Sequence, residues 1–299
     1  MLILMAAPTR ARKRLGDFLY QLRNRENVQV TLRAAGEELR LADSSISRFE
    51  TGQMLPGWPD VQALLRLYGA SDEDSAIASQ LWDQAKNGPK PVRLPSEAPP
   101  AFRRLVNEER EAKGIRCVSM TVITGYFQRE RYARAVVDAG RTFSRNEGRV
   151  PSRLSRQQLL APPVSLPVHA LLDEAVLTRA VGGPDTMIDQ LKHLLTLGEQ
   201  DNITIQVVPF GAGAYGTMSG ACTIVDYPDD EGSGVYLEYA AGGAWVEAKA
   251  DVDCFTAMFD DVSGRLSPVN DEEESWPAAL DPSESADLIR SKIRVFEGQ

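Results

Sequence analysis

Between Ala42 and Gly52 the chain reads Ala-Asp-Ser-Ser-Ile-Ser-Arg-Phe-Glu-Thr-Gly. One arginine, one aspartate and three hydroxyls in seven positions are side chains that hydrogen-bond to base edges and phosphate oxygens. Arg48 can donate twice to guanine O6 and N7, Asp43 can accept from cytosine N4, and Ser44 reads less selectively. Wound as a helix, the segment places Ile46 and Phe49 on the opposite side, so one face stays docked while the other enters a major groove. A carboxylate in a groove also repels phosphate, which leaves Asp43 a second role as a helix cap. For Arg48 the competing role is a surface salt bridge to Asp43 or Glu50.

Elsewhere the chemistry is sparser. Asp173-Glu174 and Glu238 fall near strand ends and could supply a carboxylate pair for acid/base work, although caps and surface ion pairs account for them equally well. Arg153 and Arg156, beside Gln157, suit an anion or partner contact, with a solvated helix face as the alternative. Gly211-Ala212-Gly213-Ala214-Tyr215-Gly216 is similar to a phosphate-cradling loop, but strands follow it where a nucleotide site needs a helix. A loop between strands is the better reading, and a pocket lid the lesser one. Cys117, Cys222 and Cys254 make no CxxC pair, and His169 and His193 add no metal-binding spacing. With no Ser-His-Asp arrangement in view, no cofactor, no metal and no catalytic activity are expected.

The elements that must hold Asp43 to Arg48 precede and follow them. Leu15, Phe18, Leu19 and Leu22 recur with helical spacing, which predicts a first helix over 14–26 with Arg23 and Arg25 outside. Thr31 offers an N-cap for a second helix, Leu32 to Leu39. Gly36 within it costs about 1 kcal/mol relative to alanine, so a close helix crossing should require it. A turn, Arg40 to Ala42, leads into the third helix. Trp58, Val61, Leu64, Leu65 and Tyr68 define a fourth, and Ser71 caps a fifth that runs to Lys86. Helix, turn and Ser-bearing helix in this order read as a helix-turn-helix. This all-α unit is assigned to 1–87, and a Pro-rich linker to 88–100.

Residues 101–299 alternate between periods. Helices are expected at Phe102–Lys113, Gln128–Ala139, Leu154–Leu160, Asp185–Leu197, Asp251–Leu266 and Ser283–Phe296. Strands are expected at Ile115–Ile123, Val168–Val176, Ile203–Val208, Cys222–Tyr227, Gly234–Tyr239 and Ala244–Ala248, with turns at Asp229-Asp230 and Gly242-Gly243. The acidic run Asp271 to Glu274 reads as a loop. A larger C-terminal domain of mixed α/β (α+β) class follows.

Net charge is −9, yet residues 1–58 carry +3 and the remainder −12. Only the face that meets phosphate has to be positive, so a basic module on an acidic body is compatible with DNA. The apolar residues Met1 to Ala7 precede the arginines and are too short to span a bilayer, so neither a signal peptide nor a membrane span is expected, and the chain is placed in the cytoplasm.

Residues 15–69 resemble an Xre-type helix-turn-helix domain, the five-helix repressor fold, with Ile46-Ser47-Arg48-Phe49-Glu50-Thr51-Gly52 matching its Val-Ser-Arg-Ile-Glu-x-Gly run. The resemblance implies base reading by Asp43, Ser44 and Arg48, phosphate contact by Thr31, Arg33 and Ser45, and either role for Ser47. Arg40 stands where the family has a turn glycine, and Ala42 where it has a serine cap. Loss of that cap costs on the order of 1 kcal/mol unless Asp43 substitutes for it. Ile123-Thr124-Gly125-Tyr126-Phe127-Gln128 with Tyr132-Ala133-Arg134-Ala135 resembles the signature of an uncharacterised, antitoxin-like domain that follows Xre modules in actinomycete regulators. Arg156-Gln157, Asp173-Glu174-Ala175, Gln190-Leu191, Val207-Val208-Pro209 and Tyr236-Leu237-Glu238 follow in its order. What is implied is a transcriptional regulator that binds double-stranded DNA and is often encoded beside a small partner protein. A single motif reads too few bases to be specific, so a homodimer is expected. For the second domain, whose ligand the resemblance does not give, Arg153, Arg156, Glu174, Tyr215 and Glu238 are the candidate contacts to a small partner protein or a small-molecule effector. The alternative is an enzyme or protein-interaction module that retains a degenerate helix-turn-helix.

Overall fold

Thr9 and Glu111 decide where the first helix begins. In the computed structural model, α1 spans Arg10–Arg23. It starts four residues ahead of the periodicity because the Thr9 side chain accepts from Arg12 N, while Glu111 accepts from Arg10 N at 2.9 Å and Ala11 N at 3.0 Å. These are donors that a helix start otherwise leaves to water. The structure describes residues 8–88, 94, 98–140, 149–228, 231–239, 242–264 and 278–298. Met1 to Ala7, most of the Pro-rich stretch, the turn at Asp229-Asp230 and the acidic run Asp271 to Glu274 lie outside them.

The chain forms two compact units, 1–111 and 112–299. In the first, α2 (Leu32–Leu39), α3 (Asp43–Glu50), α4 (Trp58–Leu67), α5 (Asp72–Asn87) and α6 (Pro100–Glu108) follow α1. Leu15, Leu19 and Leu22 of α1, Ala35 of α2, Ile46 and Phe49 of α3, and Val61, Leu64 and Leu65 of α4 make its core. Two glycines set how close the helices come. A Cβ on Gly36 would lie 2.7 Å from Leu41 O, so the close approach is to the turn that leads into α3 more than to α3 itself, and one on Gly16 would lie 2.3 Å from Glu50 O. Arg23 and Arg25, expected outside, are both engaged. Arg23 is buried and forks onto Glu50 at 2.6 and 2.9 Å, and Arg25 forks onto Asp74 at 2.7 and 2.8 Å. Periodicity shows which face a residue occupies, not which carboxylate the fold brings to it.

The second unit is built on a six-stranded sheet in the order β3-β2-β1-β4-β5-β6. Strand β1 (Gly114–Ser119) pairs in parallel with β2 (Val168–Asp173), and β2 with β3 (Ile203–Val208); β4 (Cys222–Asp226), β5 (Ser233–Tyr239) and β6 (Gly242–Val246) continue antiparallel from β1. Helices α7 (Glu130–Ala139), α8 (Arg149–Arg156), the short α9 (Ala175–Thr178), α10 (Pro184–Gly198), α11 (Lys249–Ser263) and α12 (Pro282–Phe296) complete it. Val252, Phe259 and Val262 of α11 pack on Val118, Leu171, Ile224 and Val235, which share one sheet face.

Two strands are shorter than their apolar runs suggest, and side chains explain why. After Ser119 the backbone turns to side-chain partners: Tyr132 Oη accepts from Ile123 N at 3.1 Å, and Gln128 Nε2 donates to Ile123 O at 2.6 Å. Gln190 accepts from Arg129 N and donates to Phe127 O, both at 2.7 Å. Glutamines thus clamp the loop where a ladder would have continued. Strand β2 stops at Asp173 because its carboxylate takes Ala175 N at 2.8 Å, which turns Val176 into α9.

Candidate functional site

The candidate surface is built from the end of α1 upward. Arg23 Nη1 donates to Val30 O at 2.8 Å while its Nε and Nη2 hold Glu50, the last residue of α3. One guanidinium therefore fixes both the approach to α2 and the end of α3. The Glu50 hydrogen bond, ahead of the opposing cost of burial, pushes the Arg23 pKa up. At the other end, Arg40 adopts the left-handed conformation (φ 54°, ψ 39°), as keeping the turn without glycine requires. Ala42, at the N-cap, makes no side-chain cap bond. The Asp43 carboxylate accepts from Ser44 N at 2.7 Å and supplies part of what is missing.

Held this way, α3 divides by face. Ile46 and Phe49 are 0% and 4% exposed, whereas Asp43, Ser44 and Arg48 are exposed and Ser45 and Ser47 half-buried. Full burial of two such side chains stabilises the docking by about 1.5–3 kcal/mol each. Arg48 makes no ion pair with Asp43 or Glu50 among the described residues, since Glu50 is occupied by Arg23. Thr31 is exposed, and its hydroxyl oxygen accepts from Ala34 N at 3.1 Å as the α2 cap. Arg33 pairs with Glu37 at 3.0 Å, with both side chains mostly in water, an arrangement weak enough for a phosphate to displace.

The candidates in the second unit do not meet at one place. Glu174 and Tyr215 lie at the carboxyl end of β2. Tyr215 Oη donates to Asp173 at 2.6 Å, Glu174 accepts from Phe210 N at 2.7 Å, and Lys292 forms an ion pair with Glu174. Burial acts to raise the Glu174 pKa, but the Lys292 and Phe210 bonds outweigh it and the net shift is downward. These carboxylates tie the 209–221 connection, with its short 3-10 turns Phe210–Ala212 and Gly216–Ser219, to the sheet.

Arg153, Arg156 and Glu238 instead act electrostatically on Tyr236, which lies on the sheet face opposite α11. Arg156 is buried and lies 4.7 Å over the Tyr126 ring, and Arg153 donates to Gln128 at 3.0 Å. Burial, then Glu238, drives the Tyr236 hydroxyl upward against the two arginines. Tyr236 and Lys292 are the residues here that the sequence reading did not single out. Tyr236 stands in the quoted Tyr-Leu-Glu run, but Lys292 is 118 positions from its partner and left no local trace. Burial pushes the Cys117 thiol up to about 12 and Cys222 up to about 11, so neither is a nucleophile at neutral pH. Among the described residues no three His, Cys, Asp or Glu side chains come together to hold a metal ion, and no helix is long and apolar enough to cross a membrane.

A helix-turn-helix unit joined to a mixed α+β unit is the class of protein that this fold and surface define. Residues 14–76 match the family described as a helix-turn-helix domain. Residues 102–271 match the domain of unknown function DUF5753, and because that match spans more than half of the chain, the protein belongs to the DUF5753 family. No curated protein and no solved structure matches it.

Proposed function

We propose that this protein is a sequence-specific, DNA-binding transcriptional regulator of the Xre type. Its second unit binds an effector or a small partner protein and has no catalytic role. The observation that carries the reading is the division of α3: Asp43, Ser44 and Arg48 face solvent while Ile46 and Phe49 are locked in the core. The basic balance of residues 1–58 supports it, since affinity for duplex DNA comes chiefly from phosphate contacts. One motif of this size reads few base pairs, so the protein acts as a homodimer on two half-sites about one helical turn apart, in the cytoplasm. Arg153, Arg156 and Glu238 near Tyr236 are the effector or partner site we favour, because two guanidiniums suit an anion or an acidic partner. An antitoxin-like role with a small partner fits the same arrangement.

Selection from a randomised duplex pool, followed by salt titration of the enriched sequence, tests this. The reading expects one enriched, two-fold-related sequence whose affinity falls linearly with log salt. An unenriched pool, with the protein soluble and folded, would contradict it.

A further inference from the structure

Three adjacent residues in the turn before α3 each depart from what local stability favours. Arg40 holds the left-handed conformation that glycine or asparagine adopts more freely. Leu41 is 39% exposed, one of the large apolar side chains that stay open to solvent among the described residues, and is not among those packed on the core of its unit. Ala42 is exposed at the N-cap, where a hydroxyl would take a helix N–H and alanine takes none. Asp43 and Ser44, the outward residues at the start of α3, follow directly. Local rules broken together beside a working surface mark a surface shaped for contact.

Resting on the DNA reading above, we propose that Leu41 and Ala42 form an apolar contact for thymine C5-methyl groups in the major groove and so help to set which sequence is bound. The N-terminal residues of a recognition helix contact the base edges, and Leu41 and Ala42 stand directly before them. The apolar feature on those edges is the thymine methyl, which neither Arg48 nor Asp43 can read. A serine at position 42 would cap α3 but would put a hydroxyl against that methyl. The uncapped alanine and the exposed leucine are thus explained by one ligand chemistry.

The duplex enriched from the randomised pool, prepared once with dTTP and once with dUTP, separates the outcomes, because deoxyuridine lacks only the methyl. Wild type should bind the thymine form about fourfold more tightly for each methyl contacted. In Leu41→Ser and Ala42→Ser the ratio should fall toward one. Ala42→Ser should also melt at a higher temperature, which rules out unfolding as the cause. Equal binding of the two duplexes by wild type, with Arg48 still required, would overturn the methyl contact and leave the DNA reading standing. An unchanged ratio in both variants would overturn it as well. Failure to bind either duplex would overturn both.

Discussion

Arg23 and Glu50 are buried on both sides, with side chains 10% and 7% exposed, and their pairing matters most for what breaking it would leave behind. An isolated charge in that position has no water to turn to, so Arg23→Ala or Glu50→Ala should each cost about 3 kcal/mol in denaturant unfolding. Replacing both with apolar residues of similar volume should recover most of the loss. Arg25 and Asp74 behave differently because Arg25 is partly in water. The Arg25 bonds, then the Ser71 N–H, hold the Asp74 carboxyl well below its ordinary range. A carboxyl whose pKa is lower in the folded than in the unfolded chain stabilises fully above about pH 4 and loses that contribution as pH falls through the folded value. Asp74→Asn should therefore flatten the acid limb of the stability profile below about pH 4 without changing its slope near neutrality; an unchanged acid limb would show that the pair carries no linkage.

At the scale of elements, α3 is set by backbone contact as much as by side chains. Gly16→Ala brings a methyl to 2.3 Å of Glu50 O, so α1 and α3 must separate. The expected cost is about 1–3 kcal/mol, with weaker DNA binding because the reading face tilts. Unfolding and binding measured on the same variant check this, and full stability with full binding would mean that the crossing is not tight.

These elements were largely legible in the sequence. Leu15, Leu19, Leu22, Ile46 and Phe49 repeat with the helical period, and Gly36 in mid-helix announced a close approach, which the fold makes with the following turn. The ends were less so, since they depend on distant partners. Glu111 begins α1 from about 100 positions away, and glutamines 128 and 190 take up backbone groups beyond β1. Arg23 and Arg25 look like solvent-facing cations until the fold brings Glu50 and Asp74 to them.

At the scale of the molecule, residues 1–58 carry a net charge of +3 and residues 59–299 carry −12. The exposed face of α3 was legible because the helical period is local. The arrangement in the second unit was not, because Arg153 and Arg156 on α8 stand 80 or more positions along the chain from Tyr236, whose hydroxyl they influence. Tyr215→Phe removes the bond to Asp173 and should speed amide exchange in 209–221, with a stability loss of about 1 kcal/mol. Unchanged exchange there would show that the tie does not restrain the connection.

The claim on which the account turns is that Arg48 reads bases. The direct measurement is the ratio of affinities for the selected duplex and a scrambled one, in wild type and in Arg48→Ala, at one fixed salt concentration. The account predicts that the ratio drops by about 10- to 100-fold in Arg48→Ala, equivalent to about 1–3 kcal/mol of discrimination, while affinity for the scrambled duplex changes little. A variant that keeps the wild-type ratio would contradict it.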